Sequence, residues 1–197
     1  AARAARGDYI LFMDDDNVAT PEMLEVFVRA ARNSGADVLT CVNMLFSGET
    51  PPVDPERLWL PLGGATGAGL YRNAFGDANA LWKRDAFEKV GGYTIDHGVG
   101  HEDWELFAEA VLCGLRLEVV ARPLYWYRVN PGGMLRAGDH WADHARSVRP
   151  YLRHDPHGLG MALAYALFLQ RQRELGAALP VARASLWRAA ARAMRLA

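Results

Sequence analysis

The chain has 197 residues, 51% hydrophobic and 23% charged, with a formal net charge of -1. That length holds one domain with a sizeable core, or one domain with an appendage, and near-neutrality removes any global electrostatic case for a nucleic acid partner. The charge is uneven, because residues 168–197 hold six arginines against one glutamate.

The opening AARAARG reads as the end of a helix delivering the chain into a strand. A sheet that begins with its ligand-bearing strand reads as lacking something upstream, so the expectation is a piece of a larger protein. From Tyr9 to Met13 an apolar run describes a buried strand, and it ends in Asp14, Asp15 and Asp16. Open α/β sheets place their ligand crevice at such carboxyl ends. In an extended strand Asp14 and Asp16 point to one side and Asp15 to the other. Three adjacent acids repel unless a positive group joins them. Mg²⁺ or Mn²⁺ fits, since it takes one or two protein carboxylates plus phosphate oxygens. The plainer reading is an acidic strand end that caps the next helix.

Thr20 as N-cap, Pro21 in the first turn and Gly35 at the end predict a helix over 21–34. Ala36 to Leu45 predicts a second strand. The glycines and prolines between Phe46 and Gly76 predict a long irregular loop, and loops of that length tend to be functional. Asn79 to Lys83 reads as a strand, Asp85 to Val90 as a short helix, His101 or Glu102 to Cys113 as a longer one, and 116–120 and 124–128 as two further strands. From about 139 onward the pattern is helical, with breaks near 155–158 and 176–180. Cys41 and Cys113 lie in apolar surroundings without metal-type spacing and read as buried free thiols of a reducing compartment. No apolar run approaches the roughly 18 residues of a membrane span, so the expected location is cytoplasmic. The arginines at 188, 192 and 195 make a basic amphipathic stretch that packs on a neighbouring domain or docks peripherally on the inner face of an anionic membrane.

Glu102 and Asp103 stand at a helix entry, after a glycine-bearing loop. Unsatisfied N–H groups and the positive end of the helix dipole hold a carboxylate ionised there. A general base gains instead from a raised pKa, which burial supplies, and the sequence leaves that contest open.

Four ordered blocks, YILFMDDDN, GDANALWKRDAFEKVGGY, GVGHEDWELFAEAVLCG and LEVVARPLYWYR, closely resemble the carboxyl half of family-two glycosyltransferases. The resemblance covers roughly residues 5–136. It implies an α/β fold of the GT-A (nucleotide-diphospho-sugar transferase) type, a mixed sheet flanked by helices, with the amino-terminal part missing. It divides the chain into residues 1–136, the carboxyl half of that domain, and residues 137–197, a helical extension. The implied activity is transfer of a sugar from a nucleotide-sugar donor, a UDP-sugar first among them, to a hydroxyl acceptor. The implied course is inverting, dependent on a divalent metal, Mn²⁺ or Mg²⁺, and of the hexosyltransferase type.

By the same resemblance Asp16 is the direct metal ligand and Asp14 lies near the metal or the ribose. Asp15, Asp77 and Arg128 join Asp14 around the nucleotide sugar. Asp103 is the base, Glu102 holds acceptor hydroxyls, and His101 and Trp104 lie at the acceptor. The acceptor is a saccharide, a lipid-linked molecule or another hydroxyl compound, and the setting is polysaccharide biosynthesis for the cell envelope. Many relatives carry a histidine shortly after a YR pair, where this chain has Asn130. Arg128, His140 or His144 are the alternatives for the diphosphate. Of the tryptophans, Trp59, Trp82, Trp126 and Trp141 read as core, and His97 as a loop histidine near the acidic pair.

Two other classes compete. Strand, Asp14, Asp16, Val18 is also how haloacid-dehalogenase-like phosphohydrolases present an aspartyl nucleophile and its partner, with Lys83 or Lys89 and Asp103 as awkward helpers. The third reading is a non-catalytic fragment that serves as a binding module.

Overall fold

A computed structural model describes residues 2–130 and 140–154, with 166, 167 and 169 besides. Strands and helices alternate through the first part of the chain: β1 (Tyr9–Leu11), β2 (Val18–Ala19), α1 (Met23–Ser34), β3 (Val38–Phe46), β4 (Arg57–Trp59), α2 (Thr66–Gly69), β5 (Leu81–Lys83) and α3 (Arg84–Lys89). They are followed by α4 (Glu102–Leu112), β6 (Leu117–Arg128) and α5 (His140–His154). The sheet runs β1-β5-β3-β6-β2, and β4 pairs with β3. Only β3 and β6 are parallel; the other pairings are antiparallel. The expected mixed α/β sheet flanked by helices is thus what forms.

The departures have local causes. Thr20 does not cap α1, because its N–H donates to Leu124 O at 2.9 Å and its own carbonyl takes Met23 N–H at 3.1 Å. Pairing along β6 pulls Thr20 out of the helix, and Glu22 stands at the cap without a side-chain bond. Gly35 ends α1 as expected, at φ 69. The two strands expected over 116–128 are one strand, β6. Its register against β3 shifts between Cys41 and Asn43, opposite Pro123, since proline has no N–H to offer the ladder. The expected loop 46–76 contains β4 and α2, so it is only partly irregular.

Alternation along the strands sends side chains to two layers. Leu39 and Leu81 pack with Phe27 of α1 on one face. Val38 and Trp82 pack with Phe87, Phe107 and Tyr151 on the other. Trp82 stacks on Phe107 with centroids 5.7 Å apart and planes at 6°. Each such side chain contributes about 1.5–3 kcal/mol by burial. The expected division at 136/137 falls among residues not described, and beyond it α5 places Val148 and Tyr151 in the same core as Trp82. Cys41 is a buried free thiol as expected, whereas Cys113 is only partly buried, at the end of α4. Among the described residues no helix is long and apolar enough to cross a membrane. The arginine-rich stretch lies outside the described residues.

Candidate functional site

The first group of acids is organised by a turn and by one amide. Beyond β1, Asp14 N–H donates to Asn79 Oδ1 at 2.7 Å. Asn79 Nδ2 donates to Asp14 Oδ2 at 3.2 Å and also to Asp77 Oδ1. Tyr125 OH donates to the same Asp77 oxygen at 2.9 Å. Asn17 N–H closes a turn on Asp14 O at 3.4 Å. Asp14 and Asp16 line a common cleft and Asp15 does not, the same division of sides as in an extended strand. Gly76 makes the approach of Asp77 possible. It sits at φ 144, and a Cβ there would lie 2.4 Å from Thr40 Cγ2.

The second group comes from the entry of α4. His101 holds a left-handed conformation, φ 61, unusual for a residue with a Cβ. The loop before it is clamped from α5: Gly100 N–H donates to the buried Asp143 Oδ1 at 2.6 Å. Arg146 donates to Val99 O at 2.6 Å and Thr94 O at 2.8 Å. Asp103 Oδ2 accepts from Asn73 Nδ2 at 3.0 Å, and its Oδ1 accepts Trp104 N–H at 2.6 Å.

The two groups meet across a cavity of about 470 Å³ whose walls include Asp14, Asp16, Asp77, Glu102, Asp103 and Arg128. His101 and Asn130 line it as well. Its electrostatics are those of acids short of cations. Burial, then the charges of Asp77, Asp16 and Glu102, push the Asp14 carboxyl up to about 6 against the opposing bond from Asn79. Burial raises Asp77 too. At Asp103 burial comes first, Asp77 and Glu102 add to it, and the carboxyl titrates well above its usual range. The contest between helix end and desolvation is therefore won by desolvation. Hard carboxylate oxygens facing one cleft suit Mg²⁺ or Mn²⁺, and Asp16 and Asp14 are the residues that could hold such an ion.

Other expected residues are placed differently. Trp104 does not line the cleft: it is 4% exposed and its Nε1 donates to Gly69 O at 2.6 Å. It meets the site through its backbone N–H on Asp103 and through the His101 ring, 4.8 Å away between centroids. Arg128 lines the cleft but is engaged as a strap. Its Nε donates to Asp16 O at 2.9 Å, its NH2 to Glu49 O at 3.1 Å and its NH1 to Gly48 O. Its guanidinium also lies 5.0 Å from the centre of the Phe46 ring. The His144 ring sits 5.0 Å from that of His101. His97 is exposed, outside the cleft. The side chains of His140 and Trp141 lie outside the described part of the structure.

Sequence reasoning missed Asn73, Asn79, Asp143 and Arg146. The two asparagines carried a weak signal, as amides within two to four residues of glycine and acid in a turn. Asp143 and Arg146 carried none, since about 40 residues separate them from the loop they hold.

Residues 1–91 match the family Glycosyl transferase family 2, a stretch that includes the triple aspartate, Asn73, Asp77 and Asn79. No curated protein matches the chain. Solved structures that resemble it include S. aureus TarS 1-349 in complex with UDP-GlcNAc, at TM-score 0.49 and 12% identity over 70% of this chain and 39% of that one. The same protein in complex with UDP gives TM-score 0.48 and 15% identity over 80% of this chain and 50% of that one. The chain therefore spans half or less of the length of these structures, and likenesses this distant assign it no activity.

Proposed function

We propose that this chain is the cation- and acceptor-binding part of a family-2 glycosyltransferase of GT-A type, which moves a sugar from a nucleotide sugar to a hydroxyl with inversion. The observation that carries this reading is the convergence of Asp14 and Asp16 with Glu102 and Asp103, from segments about 90 residues apart, on one cleft. The family match over residues 1–91 supports it from the sequence side. When bound, a divalent cation neutralises the charge that develops on a departing diphosphate.

The chain's own groups do the rest. Asp14 and Asp16 are the residues that would hold that cation, and Asn79 keeps Asp14 turned into the cleft. Asp103, fixed on both oxygens by Asn73 and Trp104 N–H, takes the proton of the acceptor hydroxyl. Its raised proton affinity makes the ionised carboxylate a stronger base for that task. Glu102 and His101 orient acceptor hydroxyls at the mouth of α4. Arg128 braces the aspartate turn against residues 48 and 49. A saccharide or lipid-linked acceptor of envelope polysaccharide synthesis, a UDP-hexose donor, and a cytoplasmic setting with peripheral membrane contact complete the reading. The phosphohydrolase alternative has no lysine at the cleft: Lys83 Nζ is bound to Asp37 at 2.9 Å and Gly35 O at 2.8 Å, Lys89 is exposed on α3, and neither lines it.

The test is calorimetric titration of UDP into the chain with Mn²⁺, with EDTA, and in Asp16→Ala. Manganese-dependent heat abolished by Asp16→Ala is the expected result, followed by sugar transfer from one of a panel of UDP-sugars. Heat that survives both controls would overturn the reading. So would no heat from this chain and none from one extended upstream.

A further inference from the structure

The far end of α4 carries a second set of donors that the cleft does not use. Glu109 and Cys113, four residues apart on one helix face, meet His154 from the last turn of α5, and their ligand atoms all lie within 4.8 Å of one another. The separations are Cys113 Sγ to His154 Nε2 3.7 Å, Cys113 Sγ to Glu109 Oε1 3.4 Å, and His154 Nε2 to Glu109 Oε1 3.1 Å.

These three edges have the dimensions of a coordination shell. With Zn–S near 2.3 Å and Zn–N and Zn–O near 2.1 Å, tetrahedral geometry calls for S–N and S–O edges of about 3.6 Å and an N–O edge of about 3.4 Å. Each observed edge falls within about 0.3 Å of that. The donor set has the matching chemistry: one soft thiolate, one imidazole and one carboxylate suit a borderline ion such as Zn²⁺, not the hard cation of the aspartate turn. The carboxylate is already oriented. Arg153 NH2 holds Glu109 Oε2 at 2.7 Å, which leaves Oε1 turned to the thiol and the imidazole. Such outer partners are what metal ligands ordinarily have.

We propose that Glu109, Cys113 and His154 form a Zn²⁺ site that fastens α5 to α4, with a water molecule in the fourth position. The site's ligands on this helix lie about 9 Å (Glu109) and about 15 Å (Cys113) along it from Asp103, at 1.5 Å per residue, so its occupant is separate from any cation of the cleft. Its consequence is mechanical. Helix α5 also carries Asp143 and Arg146, which clamp the loop that presents Glu102 and Asp103, so an ion at this end would stiffen the mount of the acidic pair.

Binding displaces the thiol proton of Cys113 to solvent and forms a metal–thiolate bond. Co²⁺ substituted for Zn²⁺ reads this directly. The expected result is a near-ultraviolet thiolate-to-cobalt charge-transfer band with intense visible bands of tetrahedral Co²⁺ at one equivalent, bleached by Zn²⁺. The band is absent from Cys113→Ser, needs at least tenfold more Co²⁺ in His154→Asn, and persists in Asp16→Ala, which removes only the cleft's cation ligand. Both ligand substitutions fall on partly exposed positions, and far-ultraviolet circular dichroism checks that each variant is folded. No charge-transfer band at a hundredfold excess of Co²⁺, or a band that survives Cys113→Ser, overturns the proposal.

Discussion

Arg146→Met removes the cation of a buried pair. Arg146 Nε lies 2.8 Å from Glu105 Oε2, and both side chains are 3% exposed. The same guanidinium bonds Val99 O, Thr94 O and Thr94 Oγ1. Removing one partner of a buried pair costs about 3–5 kcal/mol, because the other charge stays desolvated. Here Thr94 Oγ1, 2.5 Å from Glu105 Oε2, and Arg149 NH1, 3.8 Å from its Oε1, remain to soften the loss. The lower half of that range, about 3–4 kcal/mol, is expected. For a chain of this size it corresponds to a fall in Tm of about 6–16 °C, at 2–4 °C per kcal/mol. Urea denaturation and scanning calorimetry measure both. The double variant Arg146→Met, Glu105→Leu is expected to recover most of the loss, since it leaves no buried charge behind. A loss below about 1 kcal/mol, or a double variant no better than the single one, would refute the claim that the loss comes from the unpaired buried charge of Glu105.

Asp14 makes stability depend on pH in a defined direction. Its folded carboxyl titrates near 6, above the roughly 3.9 of an unfolded chain, so the native state keeps a proton that the unfolded state has released. The stability this contributes is present below about pH 4 and lost as pH rises through about 6. Asp14→Asn should therefore flatten the Tm profile over that interval, and Mn²⁺ affinity of the parent chain should climb over the same interval and level off above it. Asn79→Ala, which frees Asp14 and Asp77 from a shared amide, should cost about 1–3 kcal/mol in urea denaturation and weaken Mn²⁺ binding about 10–100-fold by calorimetry. Gly76→Ala should destabilise by at least about 1–3 kcal/mol, since φ 144 and Thr40 both oppose a Cβ. In an active, upstream-extended chain, Asp103→Asn should slow transfer about 10²–10⁴-fold while the affinity for UDP and Mn²⁺ stays within twofold.

By itself the sequence determined the elements and the sources of the chemistry. The apolar run before Asp14, the periodic helix ended by Gly35 and the acidic entry to α4 are local patterns, each written within a dozen residues, and local patterns fix period and termini. Only the tertiary structure decided which acids share a cleft. Strand alternation already set Asp14 and Asp16 apart from Asp15, but only packing brought Glu102 and Asp103 to the same cleft. Burial first, and then the charge of Asp77 from 26 residues away, raised the proton affinity of Asp103, with adjacent Glu102 adding to them. Trp104 itself went to the core because Gly69 O offered its indole a buried partner. The clamp from Asp143 and Arg146 and the meeting of Cys113 with His154 joined residues about 40 apart. Separation in sequence places no constraint on such contacts, and the packing of α5 along α4 makes them.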